Sequence, residues 1–310
     1  MSLVTLQSGV AQGLMWAILT LGVYLTFRVL DVADLTIEGT FPLGAAVTVV
    51  LINKGMNPFL ALFLAFVAGL LAGLITGILY TKFKIPAILS GILTMIALYS
   101  INIRIMSDKA TVTISGVSVK KVIAGLFEHA PKSNVLSIIV GLVACAAIIA
   151  ILYWFFGTEI GCGIRATGSN KAMARSLGIN TDWTSILCLM ISNGLVAISG
   201  SLIAQFDYGS ALVNMGQGTI VIGLASVIIG EVIFLRKERN FAVKMSAIVL
   251  GAIIYRAIIA CALTISWLKA TDLKLITAVI VGIALAIPVI KDRINLARKR
   301  NLAKGGKSVC

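Results

Sequence analysis

Charge is scarce in this chain of 310 residues: only 12% of them are Asp, Glu, Lys or Arg, and the acids number 12. Hydrophobic residues reach 59% and mean hydropathy is +1.04, leaving too little polar surface to clothe a soluble globule. There is a single histidine, His129, in a polar connector, which excludes a histidine-based metal centre. The five cysteines (Cys145, Cys162, Cys188, Cys261, Cys310) have no C-x-x-C or metal-site spacing, so free thiols are expected and no metal site. No paired acid and base, nucleophile elbow or relay of carboxylates is visible, so no catalytic residues are expected. Gly305-Gly306-Lys307-Ser308 looks like the end of a phosphate loop, but Asn301 stands where the first glycine belongs and no strand precedes it. Gly161-x-Gly163 likewise lacks a third glycine. The N-terminus has no basic region or cleavage site, so no signal peptide is expected to be removed.

What is present is a succession of apolar runs near the ~20 residues needed to cross a bilayer. They lie near 10–30, 41–54, 58–80, 85–105, 134–157, 183–204, 217–235, 244–267 and 272–290, those at 41–54 and 217–235 being short or interrupted by glycine. The expected fold is all-α, a polytopic membrane protein of eight to ten segments. Residues 1–290 form the transmembrane domain, with halves at about 10–157 and 183–290 and a loop at 158–182 between them. A basic tail, 291–310, follows.

The net charge of +14 is placed, not scattered. Lys82 and Lys84, then Arg165, Lys171 and Arg175, then Arg236, Lys237, Arg239 and Lys244 occupy alternate connectors. The tail adds Lys291, Arg293, Arg298, Lys299, Arg300, Lys304 and Lys307, making 16 of the 26 basic residues on one side. By the positive-inside rule that side is cytoplasmic, and it holds the 158–182 loop and the C-terminus. The basic groups are read as an orientation signal beside anionic lipid, not as a nucleic-acid site. The connector 106–133, with four lysines, is a mild exception. Nine full crossings put the N-terminus outside, whereas one re-entrant segment puts it inside.

The loop is too long for a plain connection and encodes a short helix. Ser169 or Asn170 suits its N-cap, Arg175 its last turn and Gly178 the left-handed residue beyond. Ala172, Met173 and Leu177 are candidates for one docking face.

A repeat is also present. Glu38-Gly-Thr-Phe-Pro-Leu-Gly44 aligns without gaps on Gln217-Gly-Thr-Ile-Val-Ile-Gly223, an offset of 179 that matches Gly39 to Gly218, Thr40 to Thr219 and Ala46 to Ala225. Five spans from one copy to the next invert the second copy. Inverted repeats with glycine-broken helices point to a translocation path at mid-bilayer. Glu38, Gly39, Thr40, Gly44, Gln217, Gly218, Thr219 and Gly223 are therefore the path candidates, their hydroxyls and freed backbone groups lining a cavity. Asp31, Asp34, Asp207 and Asn214 lie just ahead and are candidates for a mouth.

Ala61, Ala65, Gly69, Gly73 and Gly77 recur every four residues, a stripe on which a second helix can pack closely. Ser192, Asn193 and Ser199 read as interhelical hydrogen bonders. Arg256 must either be paired in a wet cavity or reach an interface along its stem.

With a helix-bearing loop, inverted broken helices and no ATPase of its own, the sequence resembles the permease subunits of bacterial ABC importers, nearest to the branched-chain amino acid and ribose permease family. The resemblance runs from about Gln7 to Ile290. Its most specific part is Gly161-x-Gly163-x-Arg165-Ala166-x-Gly168-Ser169-Asn170 followed by Ala174, Gly178 and Ile179, which looks like the family's ATPase-coupling loop. The run from Gly218 to Gly230 is similar to the family's late membrane motif. Leu35-Thr-Ile-Glu38-Gly39 departs from the Asn-Phe-(Ala or Gly)-His-Gly-like form usual there. It looks more like the subgroup paired with lipoprotein binding proteins for tryptophan or tyrosine. The resemblance implies two copies of a cytoplasmic ATP-binding subunit that carry ATP and Mg, with no cofactor on this chain. It also implies a second permease subunit, expected as a homodimer, and an extracytoplasmic substrate-binding lipoprotein, in a bacterial plasma membrane. Two other readings stay open: an ion-coupled secondary transporter, which would need carboxylates such as Glu38 or Glu231 in the membrane, and a membrane scaffold that recruits a cytoplasmic partner.

Overall fold

The computed structural model describes residues 3–119, 133–234 and 240–262, with single positions between 275 and 286. The apolar run at 272–290, the basic tail and His129 thus fall outside the described residues or nearly so. Among the described residues ten α-helices are seen: α1 (Leu3–Tyr24), α2 (Ile37–Asn53), α3 (Pro58–Thr81), α4 (Ala87–Ile105), α5 (Ser133–Gly157), α6 (Glu159–Ser169), α7 (Lys171–Ser176), α8 (Thr181–Ile203), α9 (Thr219–Phe234) and α10 (Phe241–Ala262). Two three-residue strands, β1 (Thr111–Thr113) and β2 (Ser210–Leu212), pair antiparallel with Val112 opposite Ala211.

Among the described residues six segments are long and apolar enough to cross a membrane, and α2 and α9 are shorter apolar helices. The ends are set by local chemistry. Asn57 accepts from the Phe59 N–H ahead of Pro58, which has no N–H to leave unsatisfied. Asn180 caps α8 by accepting from Asp182 and Trp183. Both α1 and α8 end in a wide π turn, Leu25–Val29 and Ala204–Tyr208. The repeat offset of 179 carries one π turn onto the other residue for residue, and lays α1 on α8, α2 on α9 and α3 on α10. The duplication seen in a few residues thus extends over three helices and their breaks, with α4, α5, α6 and α7 between the copies.

Helices α1 and α8 form the buried centre. The small-residue stripe of α3 meets α8 as expected: a Cβ on Gly69 would lie 2.5 Å from the Asn193 carbonyl oxygen and one on Gly77 3.0 Å from Ile186 Cα. Gly9 and Gly13 do the same for α1 against α10. Ser192 donates to the Gly22 carbonyl at 2.7 Å and Ser199 to the Met15 carbonyl at 2.9 Å, so these hydroxyls join α8 to α1.

One end of the bundle, the loop face, carries α6 and α7 beside the C-terminal end of α1; the opposite face carries β1 and β2. Helix α2 starts level with Asn193, the middle of α8, and runs to the opposite face, where Asn53 donates to the Thr113 carbonyl. Helix α9 starts beside Glu38 and runs to the loop face, where Glu231 pairs with Arg28. The two inset helices therefore point in opposite directions.

Candidate functional site

The N-terminal ends of α2 and α9 meet inside the protein. Glu38, in the first turn of α2, accepts a hydrogen bond from the Gly218 N–H at 2.9 Å, just ahead of α9. That N–H is directed there because Gly218 has φ +82°, a conformation with little cost only for glycine. The seam is close because Pro42 has no N–H for the Glu38 carbonyl four residues earlier. Gly216 packs against that freed carbonyl and the Pro42 ring, where any side chain would collide.

Beside the seam lies a cavity of about 530 Å³, within the ~300–1,000 Å³ of small-molecule sites. Its polar lining comes from Glu38, Asn102, Asn214 and Gln217, its apolar lining from Pro42, Met95, Ile96, Tyr99 and Val213, and Gly39 completes it. Of the eight path candidates, Glu38, Gly39 and Gln217 line this space and Gly218 forms the turn behind it. The Thr40 and Thr219 hydroxyls do not line it. Both residues are fully buried, Thr40 donating to Asn193 Oδ1 at 2.7 Å and Thr219 to the Gly216 carbonyl at 2.8 Å. Gly44 lies against the Ala197 backbone and Gly223 against Val23 and Leu19, so both serve helix crossing.

The residues proposed for a mouth do not gather. Asp34 is buried and bonded to the Thr36 N–H (2.9 Å) and to Asn193 Nδ2 (2.7 Å). Asp207 accepts from Gln12 at 2.9 Å on the side of the β strands, and only Asn214 reaches the cavity. Inversion explains this, since the linker before α2 enters from the loop face and the one before α9 from the opposite face. Arg256 is half-buried, its guanidinium 3.8 Å above the Trp16 ring in a cation–π contact, with no carboxylate ion pair among the described residues.

At the loop face the sequence gives two helices. Thr158 caps α6 by accepting from Gly161, and Asn170, not Ser169, caps α7 by accepting from Met173 at 3.0 Å. Gly178 stands at φ +82° just past α7. Gly161 and Gly163 are buried within α6, Gly161 against Phe156, while Arg165 leans over the Phe241 ring and Ala166 is half-buried. Ala174 is buried and Ile179 half-buried, whereas Met173 and Leu177 are exposed.

This loop is fastened to the bundle. Gly168 abuts the Val29 carbonyl so closely that a Cβ would overlap it. Thr167 and Thr184 share a hydrogen bond of 2.9 Å, and the Lys171 ammonium lies 4.7 Å from the Tyr80 ring centroid. Arg175 bonds Thr181 and Asp182. From Val29 the chain leads directly into the linker of α2, and Arg28 holds the end of α9 through Glu231. Both inset helices are thus joined to the element that carries the loop.

Residues 5–285 match the model of a family described as the permease component of a branched-chain amino acid transport system. The chain belongs to that family. It is the permease component of an ABC transport system, a role that implies an ATP-binding partner and a solute-binding partner and requires no catalysis by the permease itself. The permease is 40% identical over 297 residues to the tyrosine transport system permease protein of Clostridioides difficile (strain R20291), covering 96% of this chain and 94% of that one. It is 34% identical over 283 residues to an uncharacterized protein of Rickettsia prowazekii (strain Madrid E), covering 91% and 96%. It is 32% identical over 109 residues to a D-allose transport system permease protein of Escherichia coli (strain K12), about a third of each chain. No solved structure matches the permease.

The permease's cavity wall from α4 was not visible in the sequence as a site. Asn102, a fully buried amide in an apolar run, was the available signal.

Proposed function

We propose that the permease forms the membrane path of an importer for a small polar solute, an amino acid, with an aromatic one favoured. The observation that carries this is the junction of two oppositely directed inset helices at Glu38 and Gly218, beside a cavity with mixed polar and apolar lining. Such a junction is a place where backbone groups can face solute without facing lipid. The name of the tyrosine permease relative supports the aromatic choice.

The loop face is cytoplasmic by the positive-inside rule, with the C-terminus on the same side. Helices α6 and α7 dock on the cytoplasmic ATP-binding subunit, whose two copies hold ATP and Mg. Two copies of the permease share the bacterial plasma membrane, and a binding lipoprotein delivers solute at the opposite face. Closure of the ATPase pair moves α7, and the fastening at Gly168, Lys171 and Arg175 carries the displacement to the linker of α2 and, through Arg28, to α9.

The test is reconstitution in liposomes with the partner ATPase and binding lipoprotein. Uptake of tyrosine or a related amino acid should require ATP and stop when the ATPase's catalytic carboxylate is replaced. Uptake driven by an ion gradient through this chain alone would overturn the reading.

A further inference from the structure

We propose that the cavity beside the seam selects solutes carrying a protonated primary amine, with Glu38 and Asn102 as the two acceptors that bind it. This rests on the cavity being the solute path. Glu38 brings the only formal charge among the described residues lining the cavity, in a chain whose net charge is +14. One of its oxygens, Oε1, takes the Gly218 N–H; the carboxylate has no ion-pair partner among the described residues. A carboxylate with a second oxygen to offer is a strong acceptor for an ammonium donor.

Asn102 supplies the independent observation. It lines the cavity yet is fully buried, and its Nδ2 donates to the Gly39 carbonyl at 3.1 Å. Because a carbonyl can only accept, that bond fixes the amide's orientation and leaves Oδ1 as the remaining polar atom. Oδ1 has no hydrogen-bond partner among the described residues. A buried acceptor left unpaired in a native protein calls for an explanation, and an incoming donor supplies one. Since the Gly39 carbonyl follows Glu38 by one residue, the Asn102 amide and the carboxylate are held at the same turn of α2. An ammonium has three N–H donors, enough to bridge both acceptors, whereas a neutral sugar or a carboxylate gains nothing from the negative charge. Met95, Ile96 and Tyr99 on the same helix as Asn102 offer the apolar wall for the rest of the solute.

The experiment is equilibrium dialysis of the permease–ATPase complex in nanodiscs with three labelled probes: L-tyrosine, tyramine and 3-(4-hydroxyphenyl)propionate. Tyrosine and tyramine should bind, and the desamino acid at least tenfold more weakly. Glu38→Gln keeps an oxygen for the Gly218 N–H and removes the charge, so tyrosine and tyramine should each weaken at least tenfold. Asn102→Ala should weaken them about threefold or more, with the desamino acid unchanged. Equal binding of the desamino acid, or full affinity in Glu38→Gln, overturns the proposal. Absence of binding by all three probes to the wild-type complex overturns it too. In that case ATP-driven uptake with the binding lipoprotein, measured in parallel, still decides the transport reading by itself.

Discussion

Asp34 Oδ2 accepts a hydrogen bond of 2.7 Å from Asn193 Nδ2, joining the linker of α2 to the midpoint of α8 across 159 residues of sequence. Asn193 Oδ1 takes the Thr40 hydroxyl at 2.7 Å, and Asp34 Oδ1 takes the Thr36 N–H at 2.9 Å. A buried carboxylate without a cation is tolerated only when hydrogen bonds replace its water. This node therefore fixes where α2 begins.

Replacing Asn193 by Leu leaves the Asp34 carboxylate short of a donor and should destabilise the permease by about 2–3 kcal/mol. Asp34→Asn with Asn193 intact should cost less, since both amides can still pair. Thermal unfolding of the detergent-solubilised protein measures both; equal losses would show that Asn193 acts through packing alone.

Gly168→Ala places a methyl against the Val29 carbonyl and should displace α6 from α1 at a cost of about 1–3 kcal/mol. Uptake should fall at least tenfold while the ATPase still copurifies. Normal uptake would show that force does not travel through this contact.

Met173→Asp and Leu177→Asp alter exposed side chains of the loop face and should abolish ATPase copurification without lowering thermal stability. Ala174→Leu differs, because Ala174 is buried and the larger side chain must lift α7 from its seat. It should lower both copurification and stability.

Gly73→Val sets a branched side chain against the Leu189 backbone and should destabilise the α3–α8 pair by at least ~3 kcal/mol. Gly157→Ala, with open space around it, is the control and should be neutral or stabilising by up to ~1 kcal/mol. Unfolding in mixed micelles compares the two.

The stripe from Ala61 to Gly77 and the pairing of Gly39 with Gly218 were legible in the sequence because small residues at regular spacing have few other uses in an apolar helix. The cap at Asn170 and stop at Gly178 were legible as local chemistry. Helix α6 was not: its glycines look like coil, and only the Thr158 cap and burial against Phe156 make it helical. The threonines misled for a geometric reason. Thr40 is two residues from Glu38, about 200° around the helix, so a side chain facing the cavity at 38 sends the one at 40 into the bundle. The contribution of Asn102 and Tyr99 is tertiary, fixed by how α4 crosses α2.

Much of the seam between the halves is main chain: Gly216 rests on the Glu38 carbonyl that Pro42 left without an N–H, and the Glu38 side chain is itself held by the Gly218 N–H. A gate built from side chains can flicker open by rotamer flips in nanoseconds, but one built from peptide planes opens only when whole segments move, on microsecond-to-millisecond timescales. A path closed in this way is expected to open only together with α2 and α9 as whole elements, so little of the cell's membrane potential should drain away between deliveries of solute.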